Sequence, residues 1–388
     1  MTDMMSQGRA QALADALAAS GRLAEPWRAA YDATPRQLFV PDVAWAVPDG
    51  PEPGYAIDRC QDPARWWDAV YADTSIVTQF DDGAGDVRSG KGAPTCSCSA
   101  PGIVFTTLDL LDVYNHHRVL EIGTGTGWTA SLLAHRVGDR GVVSIEVDEQ
   151  VAAQAVKNVA AAGYVPRLLV GDGAAGWPDG APYDRVHVTC AVETFPYEWV
   201  AQTRPGGLIV APWAPVYGSG QLARLVADGS GCAVGRFPSF ASYMMLRSQR
   251  RTARWAPHHT DDAHETTTRL DPRALSGGSY AADLMIGALA RGVARIPAPA
   301  SDASGALSLL LVEAGREEGA WAAADYVPGQ SDYRVTWYGQ RNLWEEVSDA
   351  YLRWVGWGQP DRSRFGITVT PEGQHLWLDH PRHALTAT

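Results

Sequence analysis

Between residues 119 and 211 short apolar runs alternate with helical stretches. That alternation restricts the segment to a parallel sheet covered by helices on both faces. The runs fall at residues 119–122, 142–147, 167–170, 185–189 and 208–211, with helices predicted to follow the first as far as Arg136 and at 149–162. The first run meets its helix through Gly123-Thr124-Gly125-Thr126-Gly127. Glycines there let the backbone turn tightly and approach a ligand closely.

A carboxylate, Glu121, precedes the first glycine by two residues. Another, Glu146, ends the second run about 20 residues after the turn, where a ribose-binding acid belongs. Asp148 is the less favoured alternative for that contact. After the third run comes Gly171-Asp172-Gly173, a glycine loop in which an Asp often caps a turn. The spacing G-x-G-x-G, unlike the dinucleotide G-x-G-x-x-G, resembles motif I of the class I methyltransferases that use S-adenosylmethionine (SAM). It disfavours a nicotinamide oxidoreductase.

Further segments narrow the resemblance. Ser97-Cys98-Ser99-Ala100-Pro101 resembles the T-I-S-A-P segment of protein-L-isoaspartate O-methyltransferases, and Val70-Tyr71-Ala72-Asp73 their A-Y-x-D. Arg36 to Pro41 is similar to their R-x-x-F-V-P. Pro182-Tyr183-Asp184 through Ala191, then Pro205-Gly206-Gly207, is similar to P-F-D…T-A-A…P-G-G. The match covers roughly residues 30–215 in the correct order. It departs at Cys96 and Cys98, where Gln and Ile are usual, and in an insertion at 79–94. A long C-terminal extension resembles the subgroup that modifies ribosomally made peptides, in particular the branch paired with ATP-grasp ligases.

The resemblance implies a seven-stranded, mostly parallel Rossmann-like sheet. It implies SAM bound by Glu121, Gly123, Thr124, Gly125, Thr126, Gly127, Glu146, Val147, Asp172 and Gly173. It implies that Ser99, with Ser97, orients the carboxylate of a peptide substrate. In the subgroup that carboxylate is an Asp side chain of a crosslinked peptide, and its ester collapses to an aspartimide. A carboxylate with a pKa of about 3.9 is already ionised at neutral pH and needs no general base. For Ser99 the other reading is an N-cap before Ala100-Pro101. Two rival functions are the housekeeping repair of isoaspartate and a non-catalytic peptide-binding role.

The chain divides on this reading into an N-terminal helical and irregular segment (1–90), a methyltransferase domain (91–254) and a separate α+β domain (255–388) that recognises the peptide. Within the last, 343–354 has helical spacing, 365–370 and 374–378 flank a turn as a hairpin, and 257–273 is loop-like. Trp337, Trp344, Trp354 and Trp357 are candidate peptide anchors. A formal net charge of -12 argues against a nucleic-acid partner. Five cysteines without framework spacing point to a reducing compartment, the cytoplasm, and no apolar run is long enough to span a membrane. His258, His259 and His264 lack the companions of a metal site. The run Arg247, Arg250, Arg251 and Arg254 is a solvated strand end or a site for an acidic peptide segment.

Overall fold

The computed structural model describes residues 2–385, with side chains from Gln7 onward. Helices α1 (Thr2–Ala19) and α2 (Glu25–Ala33) lead into β1 (Val43–Pro48), β2 (Tyr55–Asp58), α3 (Pro63–Val70), β3 (Thr74–Phe80) and β4 (Pro94–Cys98). The four strands form an antiparallel sheet in the order β2-β1-β3-β4. This corrects the expectation that residues 1–90 are only helical and irregular. Ala44 and Ala46 on β1 are buried while the alternating Val43 and Trp45 are less so, a two-residue period obscured by the surrounding Gly, Pro and Asp. The sheet also crosses the expected boundary at residue 90, because β3 pairs with β4.

Helix α4 (Pro101–Leu111) then delivers the chain to β5 (Val119–Ile122). There follow α5 (Trp128–Val137), β6 (Val142–Glu146), α6 (Glu149–Ala161), β7 (Arg167–Val170), β8 (Tyr183–Val188), α7 (Tyr197–Ala201) and β9 (Thr203–Trp213). The pairs β9–β8, β8–β5, β5–β6 and β6–β7 are all parallel, as the alternation requires. Every residue of β5 is buried, as befits a central strand covered on both faces.

The sheet has nine strands, not seven. β10 (Gln221–Ala227) and β11 (Ala233–Phe240) add to β9 as an antiparallel hairpin. A separate five-stranded antiparallel sheet follows, built from β12 (His264–Thr268), β13 (Val293–Pro299), β14 (Leu307–Glu313), β15 (Trp321–Tyr326) and β16 (Tyr333–Tyr338). Its helices are α8 (Tyr280–Leu289) and α9 (Leu343–Gly356), and β12 occupies part of the stretch expected to be a loop. The chain then returns: β17 (Phe365–Thr370) pairs with β11, and β18 (Gly373–Leu378) with β17. The predicted hairpin forms, but it completes the central sheet instead of the C-terminal domain. Ending the chain at Arg254 would therefore strip two strands whose Phe365, Ile367 and Leu376 are buried in that sheet's core. Trp344 and Trp354 are also core residues; of the four candidate anchors only Trp357 is exposed. All five cysteines are free thiols, and no helix among the described residues is long and apolar enough to cross a membrane.

Candidate active site

The parallel strands end together at one edge, where an α/β sheet places its ligands. The turn after β5 is tied back to β6, with Gly123 N and Thr124 N donating to the Ile145 carbonyl at 2.9 and 3.2 Å. Gly125 has φ +55°, and a Cβ there would project toward the Ser97 carbonyl at 3.4 Å, into the space between the turn and β4. That space is a cavity of about 850 Å³ counted to its open mouth. Gly123, Thr124, Gly125, Thr126, Glu146, Val147, Gly173, Ser97 and Ser99 line it.

Three expected contacts fall elsewhere. Gly127 does not reach the cavity; a Cβ there would lie 2.6 Å from Val159 Cγ2, so it serves the packing of α5 on α6. Asp172 is exposed, and its carboxylate accepts from Ala174 N at 2.9 Å, capping the turn after β7. Glu121 is fully buried beneath the glycine turn. Parallel register places it beside Ser144 on β6 and His187 on β8. Its Oε2 accepts from Ser144 Oγ at 2.5 Å, and Ser144 meets Thr124 Oγ1 at 2.6 Å, so the acid holds the turn from below. Its Oε1 lies 3.9 Å from His187 Nδ1, and neither atom has a hydrogen-bond partner among the described residues.

Glu146 does face the cavity. Its Oε2 accepts from Gly125 N at 2.9 Å and its Oε1 from Asp148 N at 3.1 Å, which fixes the carboxylate and leaves lone pairs for two further donors. Around it the wall is uncharged on the thiol side, because burial pushes the Cys96 and Cys190 thiols up to about 12. A fixed acceptor for vicinal hydroxyls, a glycine cradle and the partly apolar wall of Ile122, Met244 and Leu246 fit an adenosyl ligand.

Asp148, the alternative acid, is committed to other bonds. It caps α6 by accepting from Gln150 N and Val151 N at 3.0 and 3.1 Å, and it takes Arg247 Nη2 at 3.1 Å and Gln79 Nε2 at 3.3 Å. Burial raises its pKa, but the bonds from Val151 N, Arg247, Gln79 and Gln150 N outweigh that and hold it below the ordinary Asp range. A depressed folded-state pKa adds stability that is present above the unfolded pKa and is lost as pH falls through the folded one. Asp148→Ala is expected to lower stability by about 0.5–2 kcal/mol at neutral pH. Urea titrations should show that difference shrinking below about pH 4. A difference that persists unchanged into acid would mean that the ionised carboxylate is not its source.

The second opening is a groove of about 1670 Å³ including its open side, with Val47, Val77, Ile103, Phe240 and Tyr243 among its walls. It meets the cavity at Ser97, Ser99 and Met244, which line both. Ser99 is not the cap of α4. The N-cap position is Ala100, with no side-chain cap bond, and Gly102 N donates instead to Asp73 Oδ1 at 2.7 Å. Asp73 also pairs with Arg22. The Ser99 hydroxyl lies beside that of Tyr243, whose other neighbour is Thr107; burial raises the Tyr243 pKa well above the ordinary range and keeps it a donor. Thr107 Oγ1 in turn meets His187 Nε2 at 3.0 Å.

Arg36, noted in sequence only within its motif, fixes this junction from behind. It is 1% exposed, and its guanidinium donates to the carbonyls of Val70, Ala72, Thr74, Cys98 and Ser99 at 2.7–3.2 Å. Thr189 and Cys190, also in the wall, follow β8 directly, so strand order could have flagged them. Met244 to Arg247 carry no such signal. They are placed by long-range bonds, Ala191 N to the Met244 carbonyl at 2.8 Å and Leu246 N to the Ala191 carbonyl at 2.8 Å. Among the described residues no cluster of His, Cys, Asp and Glu could hold a metal ion.

The family model for protein-L-isoaspartate(D-aspartate) O-methyltransferase matches residues 65–248. Protein-L-isoaspartate O-methyltransferase of Methanosarcina mazei is 38% identical over 135 residues, 34% of this chain and 55% of the relative. The Anaeromyxobacter sp. enzyme 1 of that name is 39% identical over 141 residues, covering 34% of this chain and 62% of the relative. The Archaeoglobus fulgidus enzyme 1 is 42% identical over 116 residues, covering 29% and 54%. The chain thus spans little more than half the length of these curated relatives. A solved structure with the same enzyme name superposes with a TM-score of 0.54 at 18% identity, covering 96% of this chain and 100% of that one, a likeness of fold. These matches are a likeness to that family over residues 65–248, and the fold is that of a class I SAM-dependent methyltransferase.

Proposed function

We propose, from the protein-L-isoaspartate O-methyltransferase match of residues 65–248, that this chain methylates a carboxylate of a peptide or protein with SAM as donor. The observation that carries the reading is the junction at Ser97, Ser99 and Met244, where an adenosyl-sized cavity opens into a peptide-sized groove. When bound, SAM supplies an electrophilic methyl group on a positively charged sulfur. Glu146 would hold the ribose hydroxyls and the glycine turn would cradle the amino-acid end. Ser99 and Tyr243 would donate to one oxygen of the substrate carboxylate and so leave the other facing the cofactor cavity. No residue has to remove a proton, because the carboxylate is already ionised. The enzyme's contribution is positioning and exclusion of water.

The substrate we favour is an Asp side chain in a ribosomally made, crosslinked peptide. The insertion at 79–94 and the five-stranded sheet, absent from the motif-bearing core, support it. After esterification the next backbone nitrogen attacks the ester carbonyl and methanol leaves, closing an aspartimide. The second reading, repair of isoaspartyl residues, is favoured by the names of the relatives. Mass spectrometry separates them. On the first reading a crosslinked peptide gains about 14 Da and then stands about 18 Da below its starting mass, the masses of methylation and of dehydration through the ester. Methylation of isoaspartyl peptides alone would favour repair.

Glu146→Ala tests the cofactor site. Removing an acceptor from two hydroxyls is expected to weaken SAM binding about tenfold or more by calorimetry. Unchanged affinity would move the ribose contact away from Glu146.

A further inference from the structure

The arginine-rich run after β11 divides between two places. Arg247 and Arg250 reach the cavity mouth, where Arg250 Nη1 takes both oxygens of Asp82 at 2.8 and 2.9 Å. Arg251 turns the other way, into a cleft between the central sheet and the five-stranded sheet. Its stem lies over Gly315, whose Cβ would stand 3.8–3.9 Å from Arg251 Cβ, Cγ and Cδ, and its guanidinium lies near Gly292. The segment is fastened there by Gly315 N donating to the Thr252 carbonyl at 2.8 Å. Four more arginines converge on the same cleft: Arg250, Arg291, Arg316 and Arg341.

Only two carboxylates line it, Glu193 and Glu313. Glu193 pairs with Arg251 at 2.9 Å, and Glu313 is shared between Arg316 at 3.5 Å and Arg341 at 3.4 Å. Arg341 has a second partner in Glu346 and Arg250 in Asp82, both outside the lining. Arg291 is exposed and pairs with no carboxylate among the described residues; its Nε reaches only the Ala288 carbonyl at 3.4 Å. The cleft holds about 1250 Å³ including its open side, room for several residues of an extended chain. An arginine excess in a protein of net charge -12 is a local reversal of sign. The overall charge repels long polyanions, so the cleft suits a short acidic stretch that guanidinium forks can take in pairs.

We propose that this cleft docks an acidic segment of the peptide substrate, apart from the residue that is methylated. The proposal rests on the peptide-methylating function above. The cleft shares Arg250 with the cofactor cavity and no residue with the groove that ends at Ser99. The docked carboxylates are therefore not the reacting one, and losing the cleft raises KM while leaving kcat.

The test uses the full chain and fluorescence anisotropy with a fluorescein-labelled octaglutamate peptide. A Gly-Ser peptide of equal length and an octauridylate serve as comparison probes. Octaglutamate is expected to bind best, with affinity falling as salt rises. Arg291→Glu with Arg316→Glu is expected to weaken it roughly tenfold and leave SAM affinity unchanged. Arg316→Glu alone, whose side chain is 70% exposed, gives a smaller loss in the same direction should the double variant misfold. Equal binding of octaglutamate and the Gly-Ser peptide, unchanged binding in the variants, or tighter binding of octauridylate would overturn the proposal. Anisotropy needs neither cofactor nor turnover, so a chain that methylates nothing can still pass, and failure of the methylation reading is seen separately.

Discussion

Ser99→Ala is expected to leave SAM affinity and melting temperature near those of the parent while methyl transfer slows. Losing one hydrogen bond to a charged group costs about 1.5–3 kcal/mol, which corresponds to roughly a 10- to 150-fold lower single-turnover rate. Stability should hold because the Ser99 hydroxyl caps nothing; Asp73 supplies the acceptor for Gly102 N at 2.7 Å. Tyr243→Phe probes the second donor. It removes the hydroxyl beside Ser99 and keeps the ring, so a rate loss at unchanged cofactor affinity is expected there too. On the proposed reading both donate to one carboxylate, so the pair should be coupled in a double-mutant cycle. Normal turnover of Ser99→Ala would sink the orienting role and turn attention to Ser97, which lines the same junction.

The parallel half of the sheet was legible because each strand is a short apolar run, even the partly exposed edge strand β7, and the first strand meets its helix through glycines. Val119–Ile122 and Arg167–Val170 fall where periodicity put them. The ligand-facing side of the turn was legible for the same reason, since only certain residues tolerate the backbone there. What the turn rests on was not. Glu121 reads in sequence as a cofactor contact, but parallel register buries it between Ser144 and His187. Strand pairing over long separations was also beyond reach. β17 finds β11 across more than a hundred residues, and nothing local to either strand encodes that choice. The same holds for Tyr243 and Met244, which enter the site only because β10 and β11 extend the sheet beyond the motif-bearing strands.

Arg36 should have the largest effect on stability of any residue near the site. Its guanidinium is buried, and no carboxylate among the described residues pairs with it. Five carbonyls and the face of Trp128, at 5.4 Å from its central carbon, take the place of a counter-ion. Those carbonyls come from the end of α3, the start of β3 and the link between β4 and α4, so one side chain ties α3 to two strands that already pair with each other. Arg36→Ala takes the donor from these carbonyls and opens a void beside Trp128. A loss of about 3–5 kcal/mol is expected, the range for removing one member of a buried charged network. Arg36→Lys keeps the charge but offers three donors on a point, not a fork, and cannot serve five acceptors spread over three segments. It should fold with reduced stability and transfer methyl groups slowly, because the carbonyl of Ser99 is then no longer held at 3.0 Å by its partner. Urea denaturation and single-turnover rates on both variants check this. A denaturation midpoint for Arg36→Ala equal to that of the parent would show that the carbonyls find other donors and that the three segments are held together by their apolar packing instead.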